Sequence, residues 1–177
     1  MSYGNQFKSE PLSTTYTTEQ YPVGTTFVQQ ADEVAANGSG VDTTLTWSLL
    51  KGDRTWIFIQ TSGAVAVGEL LKRSSTTNPF VGVKDDADGT TSALLLGVAD
   101  HAIASGEYGW VIARGCCVAL GSAGVAAGHN LDSDGSTGTA GSVDTSAGVT
   151  ASGNLGKALE ALSATKTNYV QAYITVL

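Results

Sequence analysis

Few side chains in this sequence could catalyse a reaction, and they do not form a known catalytic pattern. The chain has 177 residues and two histidines, one of which, His101, directly follows Asp100. A nucleophilic serine often lies in a Gly-x-Ser-x-Gly turn, and the sequence contains no such turn. A Ser-His-Asp site can still assemble in space, because such sites are defined by geometry. The sequence nevertheless favours a protein that is not an enzyme.

Two clusters of aspartates could bind calcium. One contains Asp85, Asp86 and Asp88, and the other contains Asp132 and Asp134. An EF-hand loop needs glycine at its sixth position and glutamate at its twelfth. Counted from Asp132 these positions are Thr137 and Val143, so neither requirement is met. A looser carboxylate site stays open, but turn chemistry alone explains both clusters, and we expect no metal.

No cofactor motif is present. Gly135, Gly138 and Gly141 are regularly spaced, but they lack the preceding strand and following helix of a phosphate-binding loop. The cysteines, Cys116 and Cys117, are adjacent. On a strand they would point to opposite faces, so we expect two buried thiols without a mutual disulfide.

Three tryptophans offer a different kind of site. Trp47, Trp56 and Trp110 could form a platform on which sugar rings stack. Tryptophan in a β domain also commonly packs in the core. Exposure of two of them side by side would favour sugar binding, whereas burial would favour a structural role.

The charge balance limits the partners. The chain has 9 basic and 16 acidic residues, a formal net charge of −7. Nucleic-acid binding relies on basic clusters that release counterions, so we expect no nucleic-acid partner. No apolar run approaches the ~20 residues of a membrane-spanning helix. The first residues also lack a charged and apolar leader, which predicts synthesis and folding in a cytoplasm.

The elements that would position any site are predicted to be strands. From Leu45 onward, short β-type runs alternate with turn signals, as expected for a sandwich or barrel. The predicted strands are Thr44–Leu50, Trp56–Gln60, Ala64–Val67, Leu70–Arg73, Phe80–Val83, Ala93–Ala99, Trp110–Ala113, Cys116–Leu120 and Tyr169–Val176. The fold class is therefore all-β, a compact antiparallel barrel or sandwich built from hairpins.

A short internal repeat supports this architecture. The sequence Gly63-Ala-Val-Ala-Val-Gly-Glu-Leu resembles Gly124-Val-Ala-Ala-Gly-His-Asn-Leu. Each copy predicts an apolar strand and then a turn whose glycine has a positive φ.

The first 42 residues differ from the rest and are predicted to form an extended arm in front of a barrel at residues 43–177. They carry −4 of the net charge and have no alternating apolar face. They are also rich in aromatic rings, which disordered tails usually lack. We therefore expect these rings to bind another molecule, with a disordered tail as the alternative. Removal of residues 1–40 should leave the barrel folded but abolish attachment to that molecule. The candidate anchors are Phe7, Tyr16, Tyr21 and Phe27.

Residues 155–162 can be interpreted in two ways. Leu155, Ala158, Leu159 and Leu162 have the spacing of a helical stripe, and Asn154 could cap it. Propensity alone therefore predicts a helix here.

Residues 51–177 resemble the small head decoration (capsid cement) proteins of tailed phages. The resemblance lies in Lys51–Leu71, in Leu96–Gly115 with its distinctive Tyr108-Gly109-Trp110-Val111 sequence, and in Gly156–Leu162 followed by Tyr169–Val176. It implies a β-barrel on the outside of an icosahedral shell, commonly a homotrimer. It also implies that residues 155–162 are strand, and we follow this implication over the helical one because tertiary context can override propensity.

The function that this resemblance implies is structural. We expect a virion protein that binds the major capsid protein on the outer capsid surface and stabilises the expanded shell, with aromatic anchors in the arm. A carbohydrate-binding or host-recognition β-domain is the alternative, and the tryptophans discriminate between the two.

Overall fold

Ten β-strands and no helix are found in the described part of the structure, a computed structural model. The structure describes residues 12–30, 52–74, 77–85, 95–121, 125–133, 143–145, 155–162 and 169–176. The strands are β1 (Thr26–Gln29), β2 (Arg54–Thr61), β3 (Leu70–Arg73), β4 (Val81–Lys84), β5 (Leu95–Ala99), β6 (Tyr108–Leu120), β7 (Asn130–Ser133), β8 (Val143–Thr145), β9 (Gly156–Ala158) and β10 (Tyr169–Thr175). The all-β prediction is confirmed.

Five of these strands close into a ring in the order β2-β4-β3-β5-β6. β2 closes it by pairing in parallel with β4 on one side and antiparallel with β6 on the other. The ring interior is filled by a cluster of buried apolar side chains, because alternate residues of each strand point inward. These residues are Ile57, Ile59, Val65, Leu71, Leu96, Ala99, Ile103, Val111 and Ala113.

The long strand β6 belongs to two parts of the sheet. From Tyr108 to Arg114 it pairs with β2, and from Arg114 to Leu120 it pairs with β10. The register shifts opposite Thr55 and Trp56, and Gly115 follows with φ +110°. A Cβ at Gly115 would lie 2.5 Å from the carbonyl oxygen of Asp53, so this close approach requires glycine.

The strands after β6 repeat the pairing pattern of the ring. β3 pairs with both β4 and β5, and β5 pairs with β6. In the same way β7 pairs with both β8 and β9, and β9 pairs with β10. A second apolar cluster lies between the two halves and contains Phe58, Trp110, Cys117, Leu131 and Val170, among others.

One turn occurs four times and docks each time on a neighbouring strand. Its glycines are Gly24, Gly68, Gly106 and Gly128, with φ between 79° and 88°. The N–H of each glycine donates to the carbonyl of one residue on the neighbouring strand. The N–H of that strand residue donates to the carbonyl of the residue that follows the glycine. The strand residues are Phe58, Ala99, Thr61 and Ala158 respectively. The internal repeat predicted two of these turns, and both glycines have the expected positive φ.

Several strand predictions are confirmed and one is wrong. Strand β3 has the predicted bounds, and β2, β4, β5 and β10 lie within two residues of theirs. The two runs Trp110–Ala113 and Cys116–Leu120 form the single strand β6. Ala64–Val67 is no strand, because only Val65 forms a bridge, to Ile103. The predicted strand Thr44–Leu50 lies outside the described residues.

The prediction of strand at residues 155–162 is confirmed for Gly156–Ala158. β9 spans Gly156–Ala158 and pairs with β10. Lys157 is exposed and Ala158 is buried, as on the two faces of a strand. The helical prediction is wrong because pairing with β10 outweighs local propensity.

Candidate functional site

Three of the four predicted anchor rings pack on the barrel of their own chain. The ring of Tyr21 lies 5.3 Å from that of Phe58 and 5.5 Å from that of Trp110. Tyr16 is 6.0 Å from Phe58, and Phe27 is 6.4 Å from Trp110. These distances and tilted or edge-to-face angles are those that aromatic pairs favour. The three rings are half-buried, and Phe7 lies outside the described residues.

Backbone hydrogen bonds hold the same segment on the ring of strands. Tyr16 and Tyr108 exchange two N–H···O bonds of 2.9 Å. Strand β1 pairs antiparallel with β2, and the indole N–H of Trp56 donates to Gln29 Oε1 at 3.1 Å. Residues 12–30 therefore extend the sheet of their own chain.

The expectation that the aromatic rings of this segment have no apolar surface on their own chain is wrong, because they pack on Phe58 and Trp110. The aromatic partners Phe58 and Trp110 lie far along the sequence, so local patterning could not reveal them. A capsid contact by Phe7, Tyr16, Tyr21 and Phe27 stays a prediction. The predicted boundary between residues 42 and 43 lies outside the described residues.

The Tyr108-Gly109-Trp110-Val111 sequence occupies the start of β6, where the ring of strands meets the second apolar cluster. The ring of Tyr108 stacks on that of Phe58 with a centroid distance of 6.0 Å and an interplanar angle of 13°. Trp110 is buried, and Val111 belongs to the apolar cluster inside the ring of strands. A Cβ at Gly109 would lie 2.8 Å from Ile103 Cδ1. Each residue of this sequence therefore has a packing role.

The tryptophans do not form the proposed sugar platform where the structure describes them. Trp56 and Trp110 are each 2% exposed. Buried indoles cannot stack on a ligand, so these two residues support the structural role. Trp47 lies outside the described residues.

Asp100 and His101 have shifted pKa values but do not form a nucleophilic site. Burial raises the pKa of Asp100 to about 6, although the attraction of the Arg54 guanidinium opposes this shift. Burial lowers the pKa of His101 to about 4. Neither ring nitrogen of His101 has a hydrogen-bond partner among the described residues, so no serine hydroxyl contacts it there.

Arg54 is a buried cation at the start of β2. It is 4% exposed, and its Nε and Nη2 have no hydrogen-bond partner among the described residues. Electrostatic attraction links it to Asp100. A buried charge needs such a counter-charge, because desolvation is otherwise costly. This arrangement stabilises a fixed charge rather than a reacting group.

The acidic cluster that was considered for calcium is only partly described. Asp85 is buried, and one carboxylate oxygen lies 3.8 Å from Lys72 Nζ. No group of three metal-ligating side chains occurs among the described residues. Asp86, Asp88 and Asp134 lie outside them, and no side-chain position is described for Asp132.

The cysteines follow the prediction. Cys116 and Cys117 are both buried, and neither forms a disulfide with a described residue. They belong to different apolar clusters, as expected for neighbours on opposite faces of a strand. Burial raises the pKa of the Cys117 thiol, so it stays protonated and unreactive at neutral pH.

A shallow pocket of about 200 Å³ lies beside the N-terminal segment. Its walls include Glu19, Val23, Phe80 and Tyr108. The Glu19 carboxylate accepts a 3.0 Å hydrogen bond from the Val23 N–H and so is already engaged at the rim. The pocket brings together no pair of groups suited to acid–base or nucleophilic catalysis. In the described residues there is also no helix that could cross a membrane.

Comparison with known proteins gives a distant structural similarity. No protein-family model matches the chain, and no curated protein matches it. Among solved structures it is similar to one described as the crystal structure of head fiber gp8.5 N base in bacteriophage phi29, with 18% sequence identity and a TM-score of 0.48. The match covers 68% of this chain and 93% of that chain. A similarity this distant assigns no function.

Proposed function

We propose that this protein is a structural component of a phage head, a decoration protein that binds the outer surface of the assembled shell. It acts by binding, without catalysis and without a cofactor. Its partner is the major capsid protein, and it assembles as a homotrimer. Neither nucleic acid nor a membrane takes part.

The proposal depends on the resemblance over residues 51–177, and β9 is the observation that supports it most. For residues 155–162 the resemblance implied strand where propensity implied helix, and β9 is a strand. The distinctive Tyr108-Gly109-Trp110-Val111 sequence also lies where the ring of strands meets the second apolar cluster. The resemblance therefore extends to residues that determine the fold.

The mechanism would be linkage between binding and shell stability. A protein that binds the expanded shell but not its dissociated subunits stabilises the shell by mass action. At a free concentration 100 times the Kd this amounts to about 2.7 kcal/mol per site. Many sites on one particle, and three in each trimer, would multiply this effect without strong individual contacts.

The test uses the full-length chain and heads of the phage whose genome encodes it. Purified protein is mixed with expanded heads or with unexpanded procapsids and centrifuged, and the thermal disruption of the heads is measured by light scattering. We expect co-sedimentation with expanded heads and a higher disruption temperature. Size-exclusion chromatography with light scattering should give a trimer. Absence of co-sedimentation with both particles would exclude the proposal.

A further inference from the structure

The two large hydrophobic side chains that are exposed in the described residues lie on one side of the sheet. Val28 on β1 is 49% exposed, and Tyr173 on β10 is 39% exposed. The strand register connects them, because directly paired residues share a side of the sheet. The row runs from Val28 to Thr55, Arg114 and Thr175, and Tyr173 lies two residues before Thr175 on the same strand.

The same side of the sheet carries the exposed basic residues. Arg114 is exposed on β6, and Lys157, which pairs directly with Tyr173, is exposed on β9. The Nζ of Lys157 donates a 2.9 Å hydrogen bond to Asn130 Oδ1, which orients the ammonium group without neutralising it. We call this surface the basic face. Its residues are Val28, Thr55, Arg114, Asn130, Lys157, Tyr173 and Thr175.

The other basic residues that the structure describes are less available. Arg54 is buried, and Lys72, Arg73 and Lys84 are half-buried. Lys72 lies 3.8 Å from Asp85, and Lys84 Nζ lies 3.5 Å from Glu69. Among the described residues, the exposed cations outside an ion pair therefore lie on the basic face.

Two acidic side chains border the basic face. Asp53 is exposed just before β2, and its carbonyl lies beside Gly115. Glu160 is half-buried, and its Oε1 accepts a 3.1 Å hydrogen bond from the Gln171 N–H. Arg114 and Lys157 form no ion pair with another described residue, so both cations can bind a partner.

We propose that the basic face is the docking surface through which this protein binds a carboxylate-rich patch on the outer surface of the shell subunit. This inference rests on the proposed function and adds to it which side of the molecule meets the shell. A chain with a net charge of −7 is repelled by an acidic surface in most orientations. Exposed positive charge on one side therefore selects the orientation in which the chain binds.

The composition of the basic face fits a protein partner. Tyrosine and arginine are enriched among the residues that dominate binding energies, and apolar centres with polar rims are typical of protein interfaces. The guanidinium of Arg114 can bind a carboxylate through two parallel hydrogen bonds. Two exposed cations are too few for a polyanion such as DNA, whose binding strength depends on many phosphate contacts.

The test compares single substitutions on the basic face with a matched change elsewhere. Arg114→Gln and the control Asn78→Asp each lower the net charge by one, but Asn78 is exposed just before β4, away from both the basic face and the predicted aromatic anchors. The Kd for expanded heads is measured by co-sedimentation over a concentration series. We expect Tyr173→Ala to weaken binding roughly 30-fold and Arg114→Gln roughly 5-fold, while Asn78→Asp binds like the wild type.

The possible results separate this inference from the proposed function. If the wild-type chain does not bind heads, the proposed function fails. If it binds and all the variants bind equally well, the function stands and the basic face is excluded. If Tyr173→Ala loses both head binding and the trimer, the face contacts a second copy, and the shell assignment is overturned. Should Tyr173→Ala fail to fold by circular dichroism, Arg114→Gln and Lys157→Gln carry the same test.

Discussion

At the residue scale, Asp100 and His101 place two opposite proton linkages next to each other. The pKa of Asp100 is raised, so its contribution to stability is present below pH ~4 and is lost as the pH rises through about 6. The pKa of His101 is lowered, so its contribution is present above pH ~6.5 and is lost as the pH falls towards about 4. Between these limits the two contributions oppose each other.

Substitutions should reveal each linkage separately. On acidification from pH 7 to pH 5, His101→Gln should gain stability relative to the wild type by an amount on the order of 1 kcal/mol. The wild type loses stability because its unfolded state binds a proton at His101 more readily than its folded state does, and glutamine binds no proton. Asp100→Asn should lose a similar amount over the same range. Urea denaturation at the two pH values measures both differences. Identical pH dependence in all three proteins would show that unfolding changes the pKa of neither group.

Gly115 permits a second prediction at this scale. Gly52 and Gly115 both have positive φ, 103° and 110°, but only Gly115 lacks space for a Cβ. Gly52→Ala should therefore cost about 1 kcal/mol of backbone strain. Gly115→Ala adds a clash with the Asp53 carbonyl and should cost at least ~2 kcal/mol more. Equal losses in thermal denaturation would mean that β6 changes pairing partner without this close approach.

At the element scale, the N-terminal segment acts as part of the barrel's sheet. Its rings cover Phe58 and Trp110, and β1 pairs with β2. Tyr21→Ala should lower the free energy of unfolding by about 2 kcal/mol, because it removes a half-buried aromatic ring from a packed cluster. The exposed neighbour Gln20 provides the control, and Gln20→Ala should change stability by less than ~0.5 kcal/mol.

The same packing reverses the expected result of truncation. Removal of residues 1–40 takes away β1 and three rings of the cluster, so it should destabilise the barrel by at least as much as Tyr21→Ala does. Chemical denaturation of the truncated chain measures this directly. If the truncated barrel is as stable as the full chain, residues 1–40 do not contribute to its stability and form an independent arm.

The strands could be predicted where their pattern is local, and the pairing could not. Leu70–Arg73 and Tyr169–Thr175 carry their β-type residues in short continuous runs, and both are strands. The helical stripe of residues 155–162 is equally local but wrong, because β10 supplies the hydrogen bonds of β9. The basic face was not predicted, since Val28, Arg114 and Lys157 are distant in sequence and meet only through the register.

At the scale of the whole molecule, β6 makes the two halves mutually dependent. Its first part completes the ring, and its second part pairs with β10. The apolar cluster on one side includes residues of both halves, among them Phe58 from the ring and Val170 from β10. Neither half can separate without breaking β6 pairing and exposing this cluster to water, which couples their unfolding.

This coupling predicts a single unfolding transition. Trp56 and Trp110 report on the ring, and Cys116 and Cys117 report on the β6–β10 pairing, since all four are buried. In a Trp47→Phe background, tryptophan emission and thiol labelling by an aromatic disulfide reagent should change at the same urea concentration. Because the thiols are buried and the pKa of Cys117 is raised, labelling in the folded state should be negligible. Thiol labelling at a lower urea concentration than the change in emission would show that β10 detaches while the ring stays folded, and that the two halves are independent.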